Sequence, residues 1–336
     1  MKETSANREI RWGILSTAKI GLTKVIPAIQ QSPFSLVTAI SSRDLAKAQK
    51  AANDLAIEKY YGSYEELLND PDIDAVYNPL PNDQHVQWTL KALEAGKHVL
   101  CEKPIGMNAE QATLLADAAA NFPKLKVMEA FMYRFHPQWQ ETARLIESGA
   151  VGEVKTIHAF FSYYNTDPQN IRNKPEVGGG ALMDIGCYCI SFPRFIFQEE
   201  PEAVVGMMDI DPQLGTDRLT SGMLKFSSGK TATFTCSTQL MPYQRVNILG
   251  DRGQIVIEIP VNAPPAETTK IELITKEEQR VIEFGQVDQY TLQADAFCRA
   301  VLENTPVPTP LSDAIGNMKV IDAIVKSATE QKWVAL

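Results

Sequence analysis

The chain has 336 residues, 44% of them apolar, and a formal net charge of -9. That length suits two globular domains, and the acidic balance excludes general nucleic-acid binding, which needs a basic face. The polar residues 1–8 lack the apolar core of a signal peptide, and no apolar run reads as a membrane helix of roughly 20 residues, so a cytoplasmic location and no membrane partner are expected.

Residues 10–15 read as a short apolar strand and 17–31 as a helix with Ile20, Val25, Ile26 and Ile29 apolar. A strand at 34–40 leads to a helix opening at Asp44, a good N-cap. Residues 74–78 read as a strand and 83–95 as a helix ended by Gly96. Strands at 98–102 and 126–130 flank an alanine-rich helix at 108–121. Strands alternating with helices imply a parallel, doubly wound Rossmann sheet, expected over residues 1–130.

The pattern then changes. Residues 154–161 alternate as a strand and 181–197 form a helix. Strands follow in series at 203–209, 220–226, 231–239, 245–249, 254–259, 270–275 and 279–284. Apolar residues alternate with threonine over 231–236, so one face is buried and one polar. Residues 227–230 and 251–253 read as hairpin turns. Helices at 290–303 and 313–329 close the chain. The fold class is therefore α/β, with a second α/β domain over 131–310 built on a large, mostly antiparallel open sheet. A C-terminal helix over 311–336 is expected to pack back on the first domain. Cys101, Cys187, Cys189, Cys236 and Cys298, mostly inside apolar patterns, read as reduced core thiols. Cys187-x-Cys189 does not match a zinc spacing, and no metal site is expected.

The turn Ser16-Thr17-Ala18-Lys19-Ile20-Gly21 stands where a dinucleotide-binding fold carries G-x-G-x-x-G. Small Ser16 and Ala18 still let the backbone approach a pyrophosphate, and the helix start supplies donors. Gly21 is expected to allow close helix–strand packing. An ordinary βα turn is the competing reading. At the tip of the second strand, Ser42 and Arg43 replace the acid that would bind a ribose in an NAD enzyme. Arg43 can pair a 2′-phosphate and Ser42 can donate to it, which favours NADP over NAD; a solvated loop charge at Arg43 is the alternative. The loop through Pro79, Leu80, Asn82 and His85 follows the fourth strand at the same sheet edge. Its backbone and Asn82 can line the path to a nicotinamide. His85 can contact the ribose or fill the core.

Glu102-Lys103-Pro104 follows the fifth strand, where ligands bind in open α/β sheets. A buried, aimed lysine there can take part in proton transfer. Gly178-Gly179-Gly180 leads into a helix that carries Asp184 and Tyr188 four apart, on one face. Such an acid and phenol, converging with Lys103, suit alcohol–carbonyl interconversion beside a nicotinamide; core packing of Tyr188 and capping by Asp184 is the alternative. The segment before the glycines is dense in hydrogen-bonding groups, so Tyr164, Asn170 and Arg172 are candidate substrate contacts. Arg172 can equally pair with Asp167. Arg134 is a candidate on the cofactor side, with a structural role as the alternative.

These motifs, with the run from Glu129 to Pro137, resemble the Gfo/Idh/MocA family and lie in its order across most of the chain. The resemblance implies an N-terminal Rossmann domain and a C-terminal open-sheet domain that commonly mediates homodimers or homotetramers. It implies NADP or NAD and a sugar or related polyol as substrate. By position, Lys103 matches the lysine that orients the substrate hydroxyl, and Asp184 the substrate-binding acid. Tyr188 resembles the subgroup of glucose-fructose oxidoreductase, NADP-dependent D-xylose dehydrogenase and dimeric dihydrodiol dehydrogenase. The catalytic residues expected are Lys103, Tyr188 and Asp184. The cofactor contacts expected are Ser16, Thr17, Ala18, Lys19, Ile20, Ser42, Arg43, Pro79, Leu80, Asn82, His85, Glu102, Lys103 and Arg134. The leading activity is hydride transfer on a sugar, with trans-dihydrodiol oxidation and a non-catalytic dinucleotide sensor as alternatives.

Overall fold

Short apolar runs, each ended by a turn, build the first sheet. Its strands are β1 (Ile10–Ile14), β2 (Ser35–Ser41), β3 (Lys59–Tyr61), β4 (Ala75–Asn78), β5 (His98–Cys101) and β6 (Val127–Glu129). The computed structural model describes residues 8–336, so the polar segment 1–7 lies outside the described residues. All neighbours are parallel, in the order β3-β2-β1-β4-β5-β6. The order reverses between β1 and β4, which places the ligand edge at the carboxyl ends of those two strands. The sequence reading counts a third strand without giving it residues; it is β3, a three-residue edge strand too short to show alternation.

Five helices cross between these strands: α1 (Ile26–Ile29), α2 (Leu45–Asp54), α3 (Tyr64–Leu68), α4 (Asn82–Glu94) and α5 (Ala109–Ala119). The helix that contains α1 starts with a π turn over Gly21–Val25, in which the Ile26 amide reaches back to the Gly21 carbonyl. Pro27 has no N–H to give the Thr23 carbonyl, and its ring crowds that group; the wider turn makes room for it. Asp44 does cap α2, accepting from the amides of Ala46 (3.0 Å) and Lys47 (3.3 Å).

The second part contributes α6 (Pro137–Glu147) and α7 (Cys187–Phe197), then β7 (Val154–Tyr164), β8 (Pro201–Ile210), β9 (Asp217–Phe226), β10 (Thr231–Ser237), β11 (Gln239–Gly250), β12 (Gly253–Ile257), β13 (Thr269–Thr275), β14 (Gln279–Phe284) and β15 (Val334–Ala335). Among the described residues these form a nine-stranded sheet, β14-β13-β12-β11-β7-β10-β9-β8-β15, antiparallel except for β7 with β10. Both expected hairpin turns join antiparallel neighbours. Ala232, Phe234 and Cys236 are buried while the threonines between them are half-exposed, as the alternation predicts.

The described residues divide into two units, those up to 132 with 289–315, and 133–288 with 316–336. This reverses one expectation. The helix that packs back on the Rossmann sheet is α8 (Gln289–Leu302), not the last one. Its Phe297 ring lies 5.3 Å from Trp12, and its Thr291 hydroxyl donates to the Ala28 carbonyl at 3.0 Å. From Gly316 onward the last helix, α9 (Leu311–Glu330), belongs to the second unit. There Ile324 fills the space left by Gly206 and Gly222, where added Cβ atoms would meet it at 2.9 and 3.0 Å. The apolar periodicity of the two helices is alike; the paired glycines on β8 and β9 select the partner of α9.

All five cysteines are buried thiols outside any disulfide. The segment Pro175–Phe197 is long and apolar enough by composition to cross a membrane, contrary to the sequence reading, but 72% of its most apolar window is buried inside the protein.

Candidate active site

The first cluster surrounds Lys103. The lysine itself is half-buried at the turn after β5, and its bond to Pro104 is cis. Four contacts hold the turn. The Glu102 amide donates to the Asn78 carbonyl at 3.0 Å. Tyr77, fully buried, donates its hydroxyl to Glu102 Oε1 at 2.6 Å. Buried Glu129 accepts from the Ile105 amide at 2.7 Å. His85 Nδ1 lies 2.8 Å from the Pro104 carbonyl. Burial, then the Glu102 carboxylate, push the Tyr77 phenol well above its ordinary value, so it stays a donor.

His85 is therefore not a cofactor contact. Its ring is buried and Nε2 faces the Leu80 carbonyl at 2.7 Å, so both nitrogens meet backbone oxygens. The core alternative wins because the helical position faces inward. Glu102 likewise spends Oε1 on Tyr77.

The second cluster is the turn after β1. Ser16 has φ +72°, a left-handed backbone that glycine adopts freely. Its own hydroxyl steadies it by accepting from the Ala18 amide at 3.2 Å. Thr17, Ala18, Lys19 and Ile20 follow, with small side chains at the approach and a helix start behind them. Gly21 does not serve tight packing: an added Cβ would meet Tyr77, Ile26 and Pro79 at an ordinary 3.6–3.8 Å. Gly13 does, since a Cβ there would strike Leu67 and Ile73 at 2.7 and 2.8 Å. Ser42 is buried and accepts from the Asp44 amide at 3.2 Å, which leaves its proton to donate. Arg43 is exposed, and its charge works against the burial that raises the Tyr64 phenol. Pro79 and Leu80 are buried, and Asn82 is the first residue of α4.

The third cluster belongs to the second unit. The glycine triplet is required residue by residue. Gly178 and Gly180 have φ +81° and +121°. A Cβ on Gly179 would strike the carbonyls of Arg172 and Lys174 at 2.6 and 2.7 Å. Asp217, which the sequence reading missed, seats the following helix: it accepts from the Leu182 amide (2.8 Å) and the Thr220 hydroxyl (2.6 Å). Burial pushes its carboxyl up to about 6 against those bonds. A π turn over Leu182–Gly186 follows, a feature frequent at functional sites.

Asp184 lies in that π turn and Tyr188 in the first turn of α7. Asp184 Oδ2 accepts from Tyr163 at 2.7 Å and pairs with Arg172 Nε at 3.0 Å. Arg172 thus joins Asp184 rather than Asp167, whose Oδ1 accepts from the Gln169 amide. The Asp184 carboxylate, against burial, holds Arg172 above its ordinary value, with smaller contributions from Tyr163 and Tyr188. Tyr188 is buried, 6.0 Å from the Tyr133 ring and 6.2 Å from Phe161. A cavity of about 460 Å³ opens beside Tyr163, lined by Phe161, Gln244, Arg245, Glu258 and Asn262 among others.

The other candidates separate from this group. Tyr164 is 66% exposed. Asn170 caps a short 3-10 turn, its Oδ1 accepting from the Arg172 amide at 3.1 Å. Arg134 donates to the Ser191 hydroxyl at 2.8 Å and lies over Tyr133 and Phe195, the structural alternative. Among the described residues no group of three His, Cys, Asp or Glu side chains stands where it could hold a metal.

Comparison with known proteins accords with this geometry. Residues 10–131 match the model of an oxidoreductase family with an NAD-binding Rossmann fold, and 139–256 that of the GFO/IDH/MocA C-terminal domain. D-xylose 1-dehydrogenase (NADP(+)) 2 of Haloferax volcanii is 37% identical over 94% of this chain and 97% of its own. Trans-1,2-dihydrobenzene-1,2-diol dehydrogenase of Xenopus laevis is 38% identical over 74% of this chain and 75% of its own. A 3-ketoreductase from Actinomadura kijaniata, solved with NADP and TDP-benzene, superposes with a TM-score of 0.90 at 28% identity, covering 95% of this chain and 98% of that one. The chain belongs to the Gfo/Idh/MocA oxidoreductase family.

Proposed function

We propose that this oxidoreductase is an NADP-dependent dehydrogenase or reductase of a sugar or related polyol, active in the cytoplasm. The observation that carries the reading is the Lys103 turn, where four separate contacts aim one half-buried ammonium at the carboxyl edge of a parallel sheet. The dinucleotide fits the residues present. Small Ser16 and Ala18 front a helix start whose amides suit a pyrophosphate. Ser42 and Arg43 suit a 2′-phosphate, and the acid beside them, Asp44, caps α2. When bound, the dinucleotide supplies or takes up the hydride.

The remaining work falls to side chains. Lys103 donates to the reacting oxygen and holds it in place. Tyr188 gives or takes the proton at that oxygen. Asp184 accepts a hydrogen bond from a substrate hydroxyl, a role that suits a polyol because each hydroxyl can donate. The name of the Haloferax relative supports a sugar and NADP.

The test is a panel of aldoses, polyols and trans-dihydrodiols run with NADP and NAD, read by reduced-nicotinamide absorbance. Turnover of an aldose with NADP is expected. Replacing Lys103 with Met should abolish turnover while NADP binding persists; full activity in that variant would overturn the assignment. The Xenopus relative favours a second reading, oxidation of a cyclic dihydrodiol, which the same panel separates. A non-catalytic dinucleotide sensor would turn over nothing on the panel; the lysine, acid and tyrosine together speak against it.

The open face of the nine-stranded sheet is the proposed homodimer or homotetramer surface. Met207, Ser221, Thr235, Phe160 and Arg245 form one cross-strand row on it, and Val205, Met223, Thr233, His158 and Asn247 the next. Met207 is 77% exposed. Light scattering on the purified chain tests this; a monomer at micromolar concentration would refute it.

A further inference from the structure

We propose that Tyr163 is a positioning residue, which together with Arg172 holds Asp184 as a fixed anion that accepts from substrate and takes no part in proton exchange. The inference rests on the reading of Asp184 as the substrate anchor.

The strand and the helix are matched in spacing. Inward residues of β7 recur every second position, so Phe161 and Tyr163 are neighbours on one face. Phe161 lies 6.2 Å from the Tyr188 ring, and Tyr163 donates to Asp184 at 2.7 Å. Two successive inward residues of one strand thus hold the two reactive residues of one helix. The strand cannot slip by one residue without losing both, because its parallel pairing with β10 places Phe161 opposite Cys236 and Ala159 opposite Phe234 in the core.

Chemistry fixes the direction of each bond. Burial, then Asp184 itself, push the Tyr163 phenol far above its ordinary value, so it remains a donor. The guanidinium of Arg172 is always charged. Two donors therefore converge on one carboxylate oxygen, Oδ2. Hydrogen bonds to the ionised form favour it over the acid. Protonation of that oxygen would set a proton against two others, so a role as general acid or base is excluded for it. The proton of the reaction then falls to Tyr188.

The experiment compares Tyr163→Phe, Asp184→Asn and wild type across pH, with NADP binding and thermal unfolding measured alongside. Tyr163→Phe removes one atom and keeps the ring. Its kcat/KM is expected to fall about tenfold to a hundredfold, mostly through KM for the substrate, the range for losing a bond to a charged group. The acid limb of kcat/KM should move up by about one pH unit, because Asp184 loses a donor that favoured its anion. NADP affinity should stay within about twofold, a span of under 1 kcal/mol. Site-specific difluorotyrosine at 163, a stronger donor, should move the acid limb down. A loss of activity with the acid limb unmoved by either change would mean a packing role only and overturn the inference. Full activity in Asp184→Asn would instead overturn the anchor reading itself, whatever Tyr163→Phe does.

Discussion

Nδ1 of His85 lies 2.8 Å from the carbonyl oxygen of Pro104, so the helix just before β5 holds the turn that presents Lys103. The other ring nitrogen meets Leu80 at 2.7 Å, in the loop after β4. One buried imidazole therefore ties the two loops at this end of the sheet to each other. Burial lowers the His85 imidazole to about 4, so the ring is neutral with a single N–H for one of the two carbonyls, and replacing it with Ala should lower stability by about 2–4 kcal/mol, from a cavity and one stranded carbonyl. It should also lower kcat, because Lys103 loses its aim. Thermal melts and steady-state kinetics check both. A variant that melts like wild type would show that the stranded carbonyl finds another partner at no cost.

Ser16 carries a backbone conformation that side chains resist, at φ +72°. Its hydroxyl bond to the Ala18 amide offsets part of that strain. Ser16→Gly trades the bond for freedom and should stay within about 1 kcal/mol of wild type. Ser16→Val keeps neither the bond nor the freedom and should lose about 1–3 kcal/mol. Urea unfolding curves distinguish the two. Equal loss in both variants would place the strain elsewhere.

How much of this could be read beforehand depends on the range of the interaction involved. The Asp44 cap and the Lys103 turn were legible, because each is written within a few consecutive residues. The strands of the second sheet were legible through threonine alternation and Gly229 and Gly253 at the turns. The role of Gly21 was misjudged, since closeness of packing depends on Tyr77 and Pro79, far away in the chain. Tyr163 and Asp217 escaped notice for the same reason. Tyr163 acts across 21 residues and Asp217 across 35, and no local pattern marks either. The π turn after β1 had a signal in Pro27, read too simply as part of a regular helix.

Asp217 makes a pH prediction with a definite sign. Its carboxyl is raised to about 6 in the fold, against about 3.9 unfolded. Between those values the native chain holds a proton that the unfolded chain has released. Its contribution to stability is therefore greatest below about pH 4, declines as pH rises to about 6, and is constant above. The span is about 3 kcal/mol at most. Asp217→Asn keeps an oxygen for the Leu182 amide and should remove this slope. Asp217→Ala leaves that amide and the Thr220 hydroxyl unpartnered and should lose about 2–4 kcal/mol at pH 7. Denaturant titrations at pH 4, 5, 6 and 7 test it; an unchanged slope in Asp217→Asn would assign the effect to another group.

His136 works in the opposite sense. Its Nδ1 accepts from the Gln138 amide at 3.2 Å and caps α6, so the ring must be neutral there, with its proton on Nε2. Burial lowers it to about 4. The unfolded chain, with a histidine near 6.5, takes up a proton that the native chain refuses. Stability from this residue is fully present above about pH 6.5 and is lost as pH falls toward 4, by up to about 3 kcal/mol. His136→Asn retains an acceptor for the cap and has nothing to titrate. Its melting temperature should fall less steeply than that of wild type over this window, and parallel curves would rule the mechanism out.

Arg43 is the residue proposed to select the dinucleotide. The residue is exposed at the tip of β2, and its neighbour Ser42 has its oxygen lone pair taken by the Asp44 amide and its proton still to give. A charge-assisted bond from Arg43 to a 2′-phosphate exists only with NADP, since NAD has a hydroxyl there. Arg43→Ala should therefore raise KM for NADP about tenfold to a hundredfold and leave KM for NAD within about threefold, a difference of under 1 kcal/mol. The asymmetry matters more than either value. A general disturbance of the loop would weaken both dinucleotides alike. Kinetics of wild type and Arg43→Ala with each cofactor separate selection from support, and equal losses would move the phosphate site away from this arginine.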